Sequence, residues 1–310
     1  SVMKVITAAA AINDNFVTPH TMYSTDRFDD RYYRLPGDGS HKWPEKMSVT
    51  DAIVHSSNIV IGKLGYDFGA QRLWKYMRAF GFGRKIGIEL PGEESGIMPS
   101  FKDWNKATWS RAPIGQGISV TALQLASAYQ AIANDGTRIK PYIVERVIGA
   151  DGQDLHKHSM VSLGNPISVA TSREIRRMML NVATREGTAR RAAIRGYSIA
   201  GKTGTAEKVV DKKYAPGLYI ASFCGIVPSG VVCKNQGDDK PVEPKFVILV
   251  SLDFDKRARY HQGGNSAAPV FKRIALAALR YYEVEPDRPN ELMDELKEDE
   301  FNKILDERGL

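Results

Sequence analysis

The sequence predicts an α+β fold: an antiparallel sheet flanked by helices, with an all-helical subdomain beside it. Three observations carry that expectation. Apolar periodicity and helix-capping signals fill the chain up to about residue 136. Three strand candidates follow, over 197–206, 218–227 and 246–254, the last two rich in β-branched and aromatic residues; they are short and linked by loops, which favours antiparallel pairing. A final apolar stripe, Val270, Phe271, Ile274 and Ala278, marks a helix over 269–282 that would pack on the sheet.

The elements follow in order. Ser1-Val2-Met3-Lys4 leads into an alanine-rich run (Val5, Ile6, Ala8, Ala9, Ala10, Ala11, Ile12) that is apolar on every side, as in a buried helix. Residues three apart share a helix face, so Ser1 would open this helix with its hydroxyl beside the Lys4 amine. Residues 18–46 are polar and turn-rich and read as an irregular excursion. Ser48 is placed to cap a helix, with Asp51 in its first turn. Ser56-Ser57-Asn58 ends it, just before a second apolar segment. Such short polar residues suit a helix end by themselves; their other reading is a loop that presents a hydroxyl and an amide to a cleft. Residues 68–83 form an amphipathic helix on Leu73, Met77 and Phe80, and 88–106 a loop. Thr121 and Gln124 make a capping box for a helix through Tyr129 and Ile132, closed by Asn134-Asp135-Gly136. A strand is expected over 142–148 and a helix over 172–186, stopped by Gly187. The polar insert 230–244 should be exposed and mobile. The tail, 283–310, is acidic and follows a domain that spans 1–282; docking and disorder are both open to it, with a solvated extension as the default.

Composition is that of a globular chain: 310 residues, 43% hydrophobic and 25% charged. No run of about eighteen apolar residues occurs, so no membrane-spanning helix is expected within it. The net charge of +7 fits either an anionic partner surface or a solvated one. Basic runs interleaved with aromatics are missing, which argues against nucleic acid. The six histidines lack zinc-ligand spacing, and His156 and His158 read as solvated in a polar loop. No cofactor or metal is expected. Cys224 and Cys233 could pair or stay as thiols.

The chemistry resides in three short stretches. A serine hydroxyl is a weak nucleophile until a base takes its proton. Lys4 could be that base if its pKa fell from about 10.4 to near 7, a shift worth about 4 kcal/mol that requires burial and a second cation. Lys202-Thr203-Gly204-Thr205 supplies a cation within a strand candidate. Glycine weakens a strand unless another backbone approaches closely, as when an extended peptide adds to a sheet edge. The serine-x-x-lysine, serine-x-asparagine and lysine-threonine-glycine patterns each occur once, in the order found in penicillin-binding proteins and serine β-lactamases.

The chain resembles the transpeptidase domain of a class B penicillin-binding protein. Further blocks carry the likeness: Gly115-Gln116-Gly117-Ile118-Ser119-Val120-Thr121, Glu186-Gly187-Thr188-Ala189, Ala200-Gly201 leading into Lys202, and Gly263-Gly264-Asn265-Ser266-Ala267-Ala268-Pro269. The resemblance implies Ser1 as nucleophile toward stem peptides ending in D-Ala-D-Ala and toward β-lactams. It implies Lys4 as base, Ser56 as proton relay, and Asn58 as a holder of Lys4 and the substrate amide. Lys202 would tune Lys4 and orient Ser56. Thr203, Gly204 and Thr205 would bind substrate, the two threonines taking its carboxylate, and the backbone N–H groups of Ser1 and Thr205 would form the oxyanion hole. It also implies further sheet strands and a membrane anchor upstream of Ser1, a periplasmic location, and a glycosyltransferase with other cell-wall synthesis proteins as partners. A serine β-lactamase and a non-catalytic β-lactam sensor or scaffold are the alternatives.

Overall fold

The computed structural model describes residues 1–211, 213–231, 242–255 and 261–291. The apolar run after Ser1 forms α1 (Lys4–Asn13), buried without interruption from Lys4 to Ala11. It is central because its small alanines let neighbours approach on every side. Those neighbours are α2 (Val49–Val54), α3 (Asn58–Phe68), α4 (Ala70–Ala79) and, from later in the chain, α7 (Val169–Leu180). Two short strands, β1 (Met22–Ser24) and β2 (Lys46–Ser48), pair antiparallel and close the polar excursion into a loop. Ser48 caps α2 by accepting from Asp51 N, as expected. A helix unforeseen from the sequence, α5 (Lys106–Arg111), starts on an Asn105 cap. The capping box of Thr121 and Gln124 opens α6 (Ala122–Ala133).

Between the helices and the main sheet lie two small antiparallel pairs: β3 (Arg138–Ile139) with β6 (Ser162–Gly164), and β4 (Arg146–Ile148) with β5 (Asp154–Lys157). The strand expected over 142–148 is therefore only its last three residues, in an exposed hairpin. His156 lies in β5 and not in a loop, and His158 stacks on Tyr142 with ring centroids 3.6 Å apart. The helix expected over 172–186 starts earlier, on a Ser168 cap, and ends at Leu180 in a 3-10 turn.

The main sheet has three antiparallel strands in the order β7 (Ala200–Val210), β8 (Lys213–Val227), β9 (Phe246–Phe254). The β7–β8 hairpin is longer than its apolar pattern suggested. The register sets Lys202 opposite Cys224 and Thr203 opposite Phe223. Among the described residues β7 has one strand neighbour, so its other side is an edge there. α8 (Ala267–Tyr281) covers the sheet, Phe271 meeting Phe223 edge-on at 4.8 Å. Gly201 and Gly225 leave room for those rings: a Cβ at Gly225 would lie 2.9 Å from Phe223 Cε1. One continuous apolar core joins α1, the helices around it, the sheet and α8.

The start of the expected solvated tail is docked instead. Asp287, 4% exposed, accepts from the Ser198 amide at 2.8 Å and from its hydroxyl, and Tyr197 Oη donates to Val284 O at 2.6 Å. Residues 292–310 lie outside the described residues, as do Cys233 and most of the 230–244 insert.

Candidate active site

Three segments, α6, the turn over 113–115 and β7, converge on residues 2–7. Tyr129 on α6 donates to Val2 O at 3.0 Å, and Thr7 donates to Pro113 O at 2.7 Å. Gly115, at φ +91°, approaches so closely that a Cβ there would stand 3.0 Å from Met3 Cβ. On β7, a Cβ at Gly204 would come within 2.8 Å of Val2 Cγ2. Glycine at these two positions lets the 115 turn and the edge strand close on Ser1 from opposite sides. Ser1 is half-buried and faces a cleft of about 1140 Å³ that Asn58, Gly115 and Thr205 also line.

Lys4 and Lys202 are both fully buried, and both reach Ser56. Lys4 Nζ donates to Ser56 Oγ at 3.0 Å and to Ser56 O at 2.5 Å. Lys202 Nζ donates to the same hydroxyl at 2.8 Å and to Thr203 O at 3.1 Å. Ser56 adopts a left-handed backbone, φ +61°, rare for a residue with a Cβ and typical of strained functional turns. Ser57 then caps α3, accepting from Val60 N.

Burial dominates the electrostatics. It brings the Lys4 pKa down to about 7, against the opposing pull of the Asp38 carboxylate. Lys202 is held well below the usual lysine range, first by burial and then by Lys4. Lys4 therefore sits at the value a general base needs near neutral pH.

The arrangement departs from the expectation in three respects. Ser1 does not open the helix: α1 begins at Lys4, whose amide donates to Ser1 O at 3.2 Å. The Lys4 amine is bonded to Ser56 rather than to the Ser1 hydroxyl, because the 2.5 Å bond to the Ser56 carbonyl draws it beneath the α2–α3 turn. Asn58 is not a Lys4 partner either; its amide donates to Gly37 O at 2.7 Å while the side chain still borders the cleft. The two strand threonines also differ. Thr205 is exposed and accepts from Gly263 N at 3.3 Å, whereas Thr203 is 7% exposed and shares a hydrogen bond with Thr188 at 2.9 Å.

Asp38 was not legible in the sequence, because nothing in its loop marks it. Its carboxylate holds the start of α3: Oδ2 accepts from Ser57 Oγ at 2.6 Å and Trp43 Nε1 at 3.0 Å, and Oδ1 from the Asn58 amide at 2.5 Å. An anion at a helix N-terminus is favourable. Here it also fixes the turn that carries Ser56.

Residues 1–276 match the family model described as the penicillin binding protein transpeptidase domain. The chain belongs to that family. It is 34% identical to penicillin-binding protein PbpB of Mycolicibacterium smegmatis over 302 residues, covering 92% of this chain and 43% of that protein. It is 33% identical to stage V sporulation protein D of Bacillus subtilis, covering 94% and 43%. The chain thus spans under half the length of these curated relatives. Among solved structures, penicillin-binding protein 3 of Mycobacterium tuberculosis complexed with ampicillin superposes with a TM-score of 0.77 at 30% identity, covering 93% of this chain and 62% of that one. The apo transpeptidase domain of Burkholderia pseudomallei penicillin-binding protein 3 gives 0.73 at 28% identity, covering 92% and 80%. The α+β expectation agrees with this membership.

Proposed function

We propose that this chain carries the catalytic machinery of a peptidoglycan D,D-transpeptidase and is a target of β-lactams. The observation that bears most weight is the pair of buried lysines meeting on Ser56 Oγ beside Ser1, at the open edge of β7. A donor peptide ending in D-Ala-D-Ala would lie along that edge, its terminal carboxylate at the exposed Thr205 with Lys202 nearby, while Thr203, turned inward onto Thr188, would support the strand from behind. Ser1 Oγ bonds to the penultimate carbonyl carbon and its proton passes to neutral Lys4. The backbone N–H groups of Ser1 and Thr205 hold the oxyanion, each such donor being worth about 3–4 kcal/mol. The C–N bond breaks as Ser56 gives its proton to the departing D-alanine and is resupplied by Lys4. The amine of a second stem peptide then attacks the ester and loses a proton to Lys4, which passes it to the departing Ser1 oxygen, so that both the hydroxyl and the neutral amine are restored. A β-lactam would form the same ester with its leaving group still tethered, so the adduct persists.

Anchoring on the outer face of the inner membrane and partnership with a glycosyltransferase belong to this reading as proposals. Among the described residues no helix is long and apolar enough to cross a membrane.

Intact-protein mass after exposure to penicillin tests the assignment. One lasting adduct, mapped to the peptide that begins at Ser1 and lost in Ser1→Ala, is the expected result. An adduct on another residue would overturn the assignment, and rapid turnover of a chromogenic cephalosporin would indicate a hydrolase instead.

A further inference from the structure

The cleft in front of Ser1 has two unlike walls. One is the β7–β8 hairpin, from Thr205 to Tyr219. The other is the loop over 27–36 together with α5, and it is cationic. Asp29 on that wall is neutralised, bonded to Arg31 at 2.8 Å and to the buried Lys63 at 3.4 Å. Arg34, Lys106 and Arg111 are exposed on the cleft and have no carboxylate partner among the described residues; Arg34 rests over the Tyr33 ring at 5.5 Å. Among the described residues the remaining carboxylates of the cleft are Asp30 and Glu207, fewer than these three cations.

This wall is held in place. Tyr32 Oη donates to Asp67 at 2.9 Å, the Lys63 amine lies 5.0 Å from the Tyr32 ring centre, and Tyr32, Leu35 and Ile59 form their own small apolar cluster. The cations are therefore presented by an anchored surface. An extended peptide on the β7 edge points successive side chains to opposite sides. A branch on the face of that added strand turned toward the 27–36 loop would meet Arg34 and Arg111, which line the same cleft and whose planar guanidinium groups suit a carboxylate.

We propose that the cleft selects donor peptides with a free side-branch carboxylate over the same peptides with that group amidated, with Arg34 and Arg111 as the recognising residues. The proposal deepens the transpeptidase reading and rests on it for the direction in which the peptide lies.

The test is equilibrium binding to the 310-residue chain by fluorescence anisotropy. Two labelled pentapeptides ending in D-Ala-D-Ala are compared, identical except for a carboxylate or a carboxamide on one side branch. Two exposed ion pairs should give the acidic peptide roughly fivefold tighter binding at low salt, with the gap closing as salt rises. In the Arg34→Gln, Arg111→Gln double variant, whose fold is checked by circular dichroism, the gap should fall below about twofold. Equal binding of the two peptides to the wild type, no measurable binding of the acidic one, or a gap that survives in the double variant would each overturn the proposal. Penicillin labelling of Ser1, measured in parallel, reports separately on the catalytic reading. Loss of that labelling with the carboxylate preference intact would sink only the chemistry.

Discussion

Replacing Asp38 by Asn should both loosen the site and retune its base. The carboxylate uses both oxygens as acceptors: Ser57 Oγ and Trp43 Nε1 on one, the Asn58 amide on the other. A carboxamide has a single acceptor oxygen, so either orientation turns an NH2 group toward a donor. Hydrogen bonds to a charged group are each worth about 1.5–3 kcal/mol, and partial exposure of Asp38 argues for the lower end. Losing one side, together with the anion at the start of α3, should destabilise the fold by about 2–3 kcal/mol. The second effect is electrostatic. Asp38 raises the Lys4 pKa against the larger effect of burial. Without that charge Lys4 releases its proton at lower pH, and the acid limb of the acylation rate should move to lower pH even as the plateau falls. Denaturant unfolding and the pH profile of second-order penicillin acylation measure the two effects. Unfolding free energy within about 0.5 kcal/mol of wild type, or an acid limb that stays put or moves upward, would refute the reasoning.

Other outcomes follow from the same geometry. With Lys4 at about 7, wild-type acylation should rise through neutral pH and be lost below it, as read by stopped-flow fluorescence. The Lys4 pKa is lowered on folding, so the unfolded chain binds more protons between about pH 7 and 10.4, and this residue makes stability rise with pH there. Lys4→Met should abolish acylation, and because the variant lacks this titration, the unfolding free energy of wild type minus that of the variant should rise with pH over that range. Gly263→Ala would set a methyl 2.6 Å from Gly204 O and against Ser222 O; it should cost about 3 kcal/mol or prevent folding, seen as a lowered Tm or loss of soluble protein.

How far the sequence reached depended on whether a feature was local. α1 announced itself because its alanines and branched residues are apolar on every side, and β9 because its apolar run from Phe246 to Val250 is uninterrupted. The three short motifs stood out as residue types at fixed spacing; the glycines at 201 and 204, read as room for an added peptide, instead make room for the Phe223 ring and for Val2. Contacts made across many residues left no such trace. Asp38 reaches α3 across some twenty residues that include β2 and α2. Thr188 takes the Thr203 hydroxyl, which therefore faces the interior rather than the cleft. The departure of the Lys4 amine from Ser1 depends on a carbonyl exposed by the left-handed turn at Ser56, a backbone state the letters do not encode.

The knot of Ser198, Ser229 and Asp287 bears on where this polypeptide can be cut. Ser198 lies four positions before Lys202, at the root of the catalytic strand, and Asp287 is the acceptor that both its amide and its hydroxyl require. Trimming the gene at codon 282, where composition invites the scissors, would leave the buried Ser198 amide and the Tyr197 hydroxyl without the acceptors they now use. The nine residues after that point are a rivet through the floor beneath the lysine, and shorter versions should keep them.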